Sequence, residues 1–248
     1  MPYSRPPYKP TLAHLRGLQH SGGGLWVTRL FHRAGILLAW LYSRLGMSPN
    51  AITWFSGVIS TAGALLLVFS DHLSVGLCTA SFVIQVLAYA SDCSDGQLAR
   101  ATGRTSTFGA WLDHVMDAWK MLVLHFSLGW VVLRVAEGHD IGEHWAYLAL
   151  VLGLGGSALY FFGWNYKVLL VGKQRIGNGI ASERRRNLML LPLQFTDFGI
   201  FLLLFLLIPH QSLIVWAYLG YSALCALIFA AYLAVSMARF PADASRGD

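Results

Sequence analysis

Residues 92–117 read DCSDGQLARATGRTSTFGAWLDHVMD. The run is polar inside an otherwise apolar chain, and hydrophobic segments longer than an ordinary soluble helix flank it on both sides. It carries four aspartates, Asp92, Asp95, Asp113 and Asp117, together with Gly96, Ala99, Arg100 and Gly109. Ionisable groups at membrane depth are costly and rare, so a cluster of them is by default a functional site.

The flanks decide the fold class. Of 248 residues, 56% are hydrophobic and only 12% charged. A soluble domain with so few charges would expose large apolar patches, so an integral membrane protein is the economical reading. A hydrocarbon core of about 30 Å takes roughly 20 apolar residues per helix. Six stretches qualify as spans: 52–70, 73–91, 106–134, 144–171, 190–208 and 212–238. The second is expected to continue as helix into the acidic run. Residues 25–46 are interrupted by Arg29, His32, Arg33 and Arg44, which suits an amphipathic helix lying at the membrane surface. The alternative there is a first spanning helix with snorkelling arginines. The expected fold is therefore an all-α integral membrane protein with six transmembrane helices and an N-terminal amphipathic interfacial helix. Its parts are an arm and juxtamembrane helix over 1–51, the six-helix domain over 52–238 and a tail over 239–248. Cys78, Cys93 and Cys225 have neither metal-ligand nor disulfide-framework spacing. The N-terminus has no apolar core, and no cleavable signal peptide is expected.

The net charge of +6 matters through its distribution rather than as a nucleic-acid patch. Six basic residues precede the first span: Arg5, Lys9, Arg16, Arg29, Arg33 and Arg44. Arg100 and Arg104 follow the second, and Lys167, Lys173, Arg175, Arg184, Arg185 and Arg186 cluster between the fourth and fifth. The alternate connections hold almost none. This asymmetry predicts a multi-pass protein of the cell membrane with both termini and the acidic run on the cytoplasmic side.

The acidic run has a chemistry of its own. Asp92 and Asp95 are three apart and Asp113 and Asp117 four apart, so each pair shares one face of a helix. Two neighbouring helices can then converge four carboxylates, which repel unless cations join them. Oxygen-only ligands suit Mg²⁺ or Mn²⁺, and a pair of carboxylate-bridged ions is a recurrent device of phosphoryl transfer. Gly96, Ala99 and Gly109 permit close helix approach or leave room for a flat ligand. The guanidinium of Arg100 suits phosphate. His114, beside Asp113, is expected to pack or hydrogen-bond locally rather than bind metal, and His125 to be structural.

The spacing D-x2-D-G-x2-A-R-x8-G-x3-D-x3-D resembles, at every defined position, the signature of the CDP-alcohol phosphotransferase (CDP-alcohol phosphatidyltransferase) family. Pro49-Asn50-x-Ile52-Thr53 is similar to the segment before that family's first span. The resemblance implies a binuclear site of two divalent cations, Mg²⁺ or Mn²⁺, held by Asp92, Asp95 and Asp113. Asp117 would stand near the second ion as general base toward the acceptor hydroxyl. It implies that Asp92, Gly96, Ala99 and Arg100, with Asn50 and Thr53 as neighbours, seat the CDP part of a CDP-linked lipid donor such as CDP-diacylglycerol. CMP would leave, and the protein would be a homodimer.

The acceptor alcohol is less marked. Lys120 follows Asp117 by three residues, as a cavity-facing group or a structural partner of Asp117. Lys173, Arg175, Arg184 and Arg186 border spans four and five, as acceptor ligands or as plain cytoplasmic charge. Together they suggest a phosphorylated polyol, inositol phosphate or glycerol phosphate. Against this, relatives with the FGAxLD pattern commonly have Arg after the last Asp, where this chain has Ala118. Its DHxxD also resembles choline and ethanolamine phosphotransferases. The competing function class is a cation transporter or channel with an intramembrane carboxylate site. A prenyltransferase, which also uses aspartate pairs, has different spacing.

Overall fold

The computed structural model describes residues 9–18, 26–139, 141–171 and 198–239. All regular structure among them is helical. The helices are α1 (Leu12–Gly17), α2 (Trp26–Arg44), α3 (Pro49–Val68), α4 (Val75–Thr102), α5 (Thr107–Gly138) and α6 (Glu143–Val171). Then come α7 (Phe198–Leu203), a 3-10 turn (Leu204–Leu207) and α8 (Gln211–Arg239). Five of these are long and apolar enough to cross a bilayer: α3, α4, α5, α6 over Glu143–Gly163 and α8 over Gln211–Met237. The fifth expected span, 190–208, is described only from residue 198.

Serines start the helices that matter. Ser48, Ser74 and Ser106 each accept a hydrogen bond from the backbone N–H three residues on, at 3.2, 3.2 and 3.0 Å. Each satisfies a donor that the first helical turn would leave bare. Pro49 then occupies the first turn of α3, where no N–H is needed.

α4 runs through the first half of the acidic run to Thr102, as expected. It stops at Gly103, whose φ of 66° is the left-handed conformation that glycine adopts freely. Arg104 N–H closes that end on Ala99 O at 2.8 Å. The polar residues Ser91, Ser94, Asp95 and Gln97 are buried, so the helix continues because neighbouring helices, not lipid, surround this stretch.

α3 packs on both α4 and α5, α2 crosses α4, and α6 pairs with α8 while also contacting α5. The α3–α4 seam is tied by neutral polar groups. Ser60 Oγ donates to Gln85 Oε1 and Gln85 Nε2 to Ser60 O, both at 2.8 Å, and Ser81 Oγ donates to Gly63 O at 2.7 Å. Between apolar helices such bonds add association that hydrophobicity cannot supply. One apolar cluster joins Leu67, Leu124, Leu128, Val132, Phe205 and Tyr218. A second, around Leu15, Ile36, Tyr42, Ile52 and Leu98, holds α1 and α2 to α3 and α4. α2 also anchors through Tyr42 OH and Ser91 Oγ, 2.8 Å apart. Val58, Leu65, Val83, Val151 and Leu227 face outward, a surface suited to hydrocarbon rather than water.

The α6–α8 contact gives a paired test. A Cβ on Gly156 would lie 3.0 Å from Ala226 N and 3.1 Å from Ala226 Cα, backbone atoms that cannot rotate away. A Cβ on Gly155 meets nothing within 4 Å. Gly156→Ala is expected to lower stability in detergent unfolding by about 1–3 kcal/mol. Gly155→Ala is expected to be neutral or to stabilise by up to about 1 kcal/mol.

Candidate active site

α4 and α5 are joined by the short turn at residues 103–106, and both pack on α3. Asp92 and Asp95 on the last turns of α4 therefore stand beside Asp113 and Asp117 on the first turns of α5. The aspartates form two overlapping groups. Ligand oxygens of Asp92, Asp95 and Asp113 lie within 4.8 Å of one another, and so do ligand atoms of Asp113, His114 and Asp117. Asp113 belongs to both. Mg²⁺ binds oxygens at about 2.0–2.1 Å, so oxygens on opposite sides of one ion are about 4.2 Å apart. Both groups are close to that size, and their hard carboxylate oxygens suit Mg²⁺ or Mn²⁺.

His114 makes a local packing contact and also stands at the edge of the second group. Its position lies round the helix from Asp113, yet the exposed side chain brings a ring nitrogen within reach of the second group. Its ring also meets Phe161 of α6 edge-on at 6.5 Å.

α3 contributes hydroxyl donors. Thr53 donates to Asp95 Oδ2 at 2.5 Å and has Pro49 O as a second acceptor at 3.2 Å. Ser56 Oγ lies 3.4 Å from Asp92 Oδ1 and donates to Thr53 O at 2.8 Å. The backbone N–H of Gly96 also meets Asp95. Thr53 was expected beside the nucleotide; it stands directly on a carboxylate. Ser56 was not foreseen, although it follows Thr53 by three residues and so shares its face.

Lys120 sits at the join. Its Nζ pairs with Asp92 across the helix interface and with Asp117 Oδ1 at 2.9 Å, one turn back on its own helix. The lysine side chain is 3% exposed, against 12% for Asp92 and 37% for Asp117. Spacing exposes the Asp117 contact, while the Asp92 contact depends on how α4 and α5 face each other.

The other expected residues lie around this centre. A Cβ on Gly109 would stand 3.2 Å from Asn50 Oδ1, so the side chain of Asn50, in the first turn of α3, lies against the start of α5. A Cβ on Gly96 would meet Arg100 Nη1 at 3.2 Å; the arginine folds back along α4 over the glycine, and its side chain is exposed. Ala99 is partly buried beside it. Lys173, Arg175, Arg184 and Arg186 lie outside the described residues.

A cavity of about 230 Å³ opens from Asp92, Asp117 and Lys120 toward Tyr160, Phe161 and Tyr221. His125 on its wall has both ring nitrogens engaged, by Tyr218 OH at 3.0 Å and Ser157 Oγ at 3.1 Å. That accords with a structural histidine.

A sequence model of the family described as CDP-alcohol phosphatidyltransferase matches residues 46–239. The chain is 28% identical over 116 residues to an uncharacterised protein of Aquifex aeolicus, covering 47% of this chain and 55% of that one. It is 36% identical over 74 residues to a phosphatidylinositol phosphate synthase of Mycobacterium marinum, covering 30% of each. It is 25% identical over 146 residues to an archaetidylinositol phosphate synthase of Pyrococcus horikoshii, covering 59% of this chain and 68% of that protein. The chain thus spans about half the length of the first relative and under a third of the second.

The α3 hydroxyls generate a test. Thr53→Val keeps shape and removes the donor to Asp95. It is expected to cost about 1.5–3 kcal/mol in thermal unfolding, the range for hydrogen bonds to charged groups. Thr53→Ser should restore most of that loss; equal loss in both variants would assign the effect to packing.

Proposed function

The chain belongs to the CDP-alcohol phosphatidyltransferase family, and from that premise we propose that it transfers a phosphatidyl-type group from a CDP-linked lipid to an alcohol in phospholipid synthesis. The observation that carries this reading is the convergence of the motif's aspartates into two groups sharing Asp113. Asp92, Asp95 and Asp113 hold the divalent cations, with Asp117 beside the second. Bound there, the cations neutralise the diphosphate and the leaving phosphate. Asp117, more exposed than Asp92 and on the cavity wall, takes the proton from the acceptor hydroxyl. The acceptor oxygen bonds to the lipid-linked phosphorus, the diphosphate bridge breaks, and CMP leaves with the bridging electron pair. Asp92, Gly96, Ala99 and Arg100, with Asn50 and Thr53 of α3 as neighbours, seat the nucleotide.

The acceptor is a phosphorylated polyol, bound by Lys120 and by Lys173, Arg175, Arg184 and Arg186. Two relatives, a phosphatidylinositol phosphate synthase and an archaetidylinositol phosphate synthase, support that class. The family match over 46–239 supports a catalytic domain at 52–238 between an arm at 1–51 and a tail at 239–248. Six spans, an interfacial α2, a homodimer and a cytoplasmic site with both termini on the same side complete the proposal. The arginines of α2 and the basic run before span five support that orientation. On α2, Arg33 and Arg44 are exposed.

Purified protein with labelled CDP-diacylglycerol, Mg²⁺ or Mn²⁺ and a panel of alcohols tests the reading through CMP release and lipid product. Inositol phosphate or glycerol phosphate is expected to be consumed, and a chelator to stop the reaction. Asp92→Asn, Asp95→Asn and Asp113→Asn should each abolish turnover. Asp117→Asn should keep donor binding and lower turnover by about 10²–10⁴; full turnover would remove its role as base. Ion uptake without CMP release would favour the transporter alternative.

A further inference from the structure

Lys120 makes contacts that a role in acceptor binding does not explain. Its ammonium contacts carboxylates from two helices, Asp92 on α4 and Asp117 on α5, and the proposed function gives both to the metal site. A group that is 3% exposed and holds two such carboxylates occupies coordination sites that a divalent cation needs.

Building on the metal-dependent reading above, we propose that Lys120 is an exchangeable counter-ion, a positioning residue that holds Asp92 and Asp117 together and yields them when divalent cations bind. Charge supports the exchange. Four carboxylates and one ammonium leave three negative charges uncompensated, so the lysine alone cannot neutralise the cluster. Two divalent cations balance four carboxylates fully, and the ammonium then becomes surplus positive charge repelled by its neighbours. Geometry supplies the way out. Lys120 itself lines the cavity of about 230 Å³ that adjoins the aspartates. Its four-carbon stem lets the ammonium swing while the stem stays packed. The lysine follows Asp113 and Asp117 at seven and three residues along α5, on the same helical stripe, and it lines the cavity together with Asp92 and Asp117. Without metal, the contact keeps like charges on α4 and α5 from forcing the helices apart. With metal, the same task passes to the cations.

Binding of Mn²⁺ alone, with no nucleotide or lipid substrate, tests this without reference to turnover. Free Mn²⁺ is followed by electron paramagnetic resonance in detergent-solubilised protein. Lys120→Met is expected to bind Mn²⁺ at least tenfold more tightly than the unaltered protein, and Lys120→Arg to stay within about threefold of it. In chelator the Met variant should melt several degrees lower, and saturating Mn²⁺ should raise its melting temperature by more than it raises that of the unaltered protein. Lys120→Gln, whose amide still bridges carboxylates, repeats the titration if the Met variant does not survive metal removal. Equal or weaker Mn²⁺ binding by both neutral variants, with normal binding by the unaltered protein, would overturn the exchange and leave the metal site standing. No Mn²⁺ binding by any of the proteins would overturn the metal site itself.

Discussion

Carboxylates cannot sit together in an apolar bundle without positive charge and hydrogen-bond donors, and this protein is built around supplying both. Asp95 is buried and takes a donor from Thr53. Asp92 takes Lys120 and lies near Ser56. Those partners come from α3 and α5, so the acidic ends of α4 and α5 keep their places only while α3 lies along them. The neutral ties among Ser60, Ser81 and Gln85 continue the same seam away from the carboxylates. Polar side chains thus run along one interface, with the ionised groups at one end and neutral ones further along.

Much of this was legible in the sequence, for identifiable reasons. Span positions followed from the length of apolar runs, a property of single segments. The pairing of Asp92 with Asp95 and of Asp113 with Asp117 followed from helical period. The extension of α4 through Ser91–Thr102 was readable because nothing breaks the helix before Gly103. Contacts between helices were not readable to the same degree. Period fixes which residues share a face but not which way that face turns against its neighbour. For that reason Lys120 is visible in the sequence as a partner of Asp117 and not of Asp92, and the hydrogen bond from Thr53 to Asp95 is not visible there. His114 packs on Phe161, the local role its helical angle suggests, while a ring nitrogen also comes near the second group. The basic residues from Lys173 to Arg186 owe their assignment to sequence alone.

The cavity connects the ionised end to the rest of the bundle. Its lining is charged at Asp92, Asp117 and Lys120 and aromatic at Tyr160, Phe161 and Tyr221, with both ring nitrogens of His125 held by Tyr218 and Ser157. A substrate with a polar reacting end and an apolar remainder matches that lining. The outward-facing apolar residues on the helix exteriors allow the remainder to stay in hydrocarbon. The chemistry is then confined to the few residues at the acidic ends of two helices.

The four-residue turn at 103–106 has a consequence for assembly. Because it joins the two acidic helices directly, every aspartate of the site lies on one helical hairpin, and the hydroxyl donors lie on the helix just before it. Closing so short a loop costs little chain entropy, and contacts close in sequence form early. The charged centre can therefore take shape from α3, α4 and α5 before α6 and α8 have joined. The later helices then enclose a centre whose charges are already partnered, rather than having to bring scattered charges together inside a closed bundle.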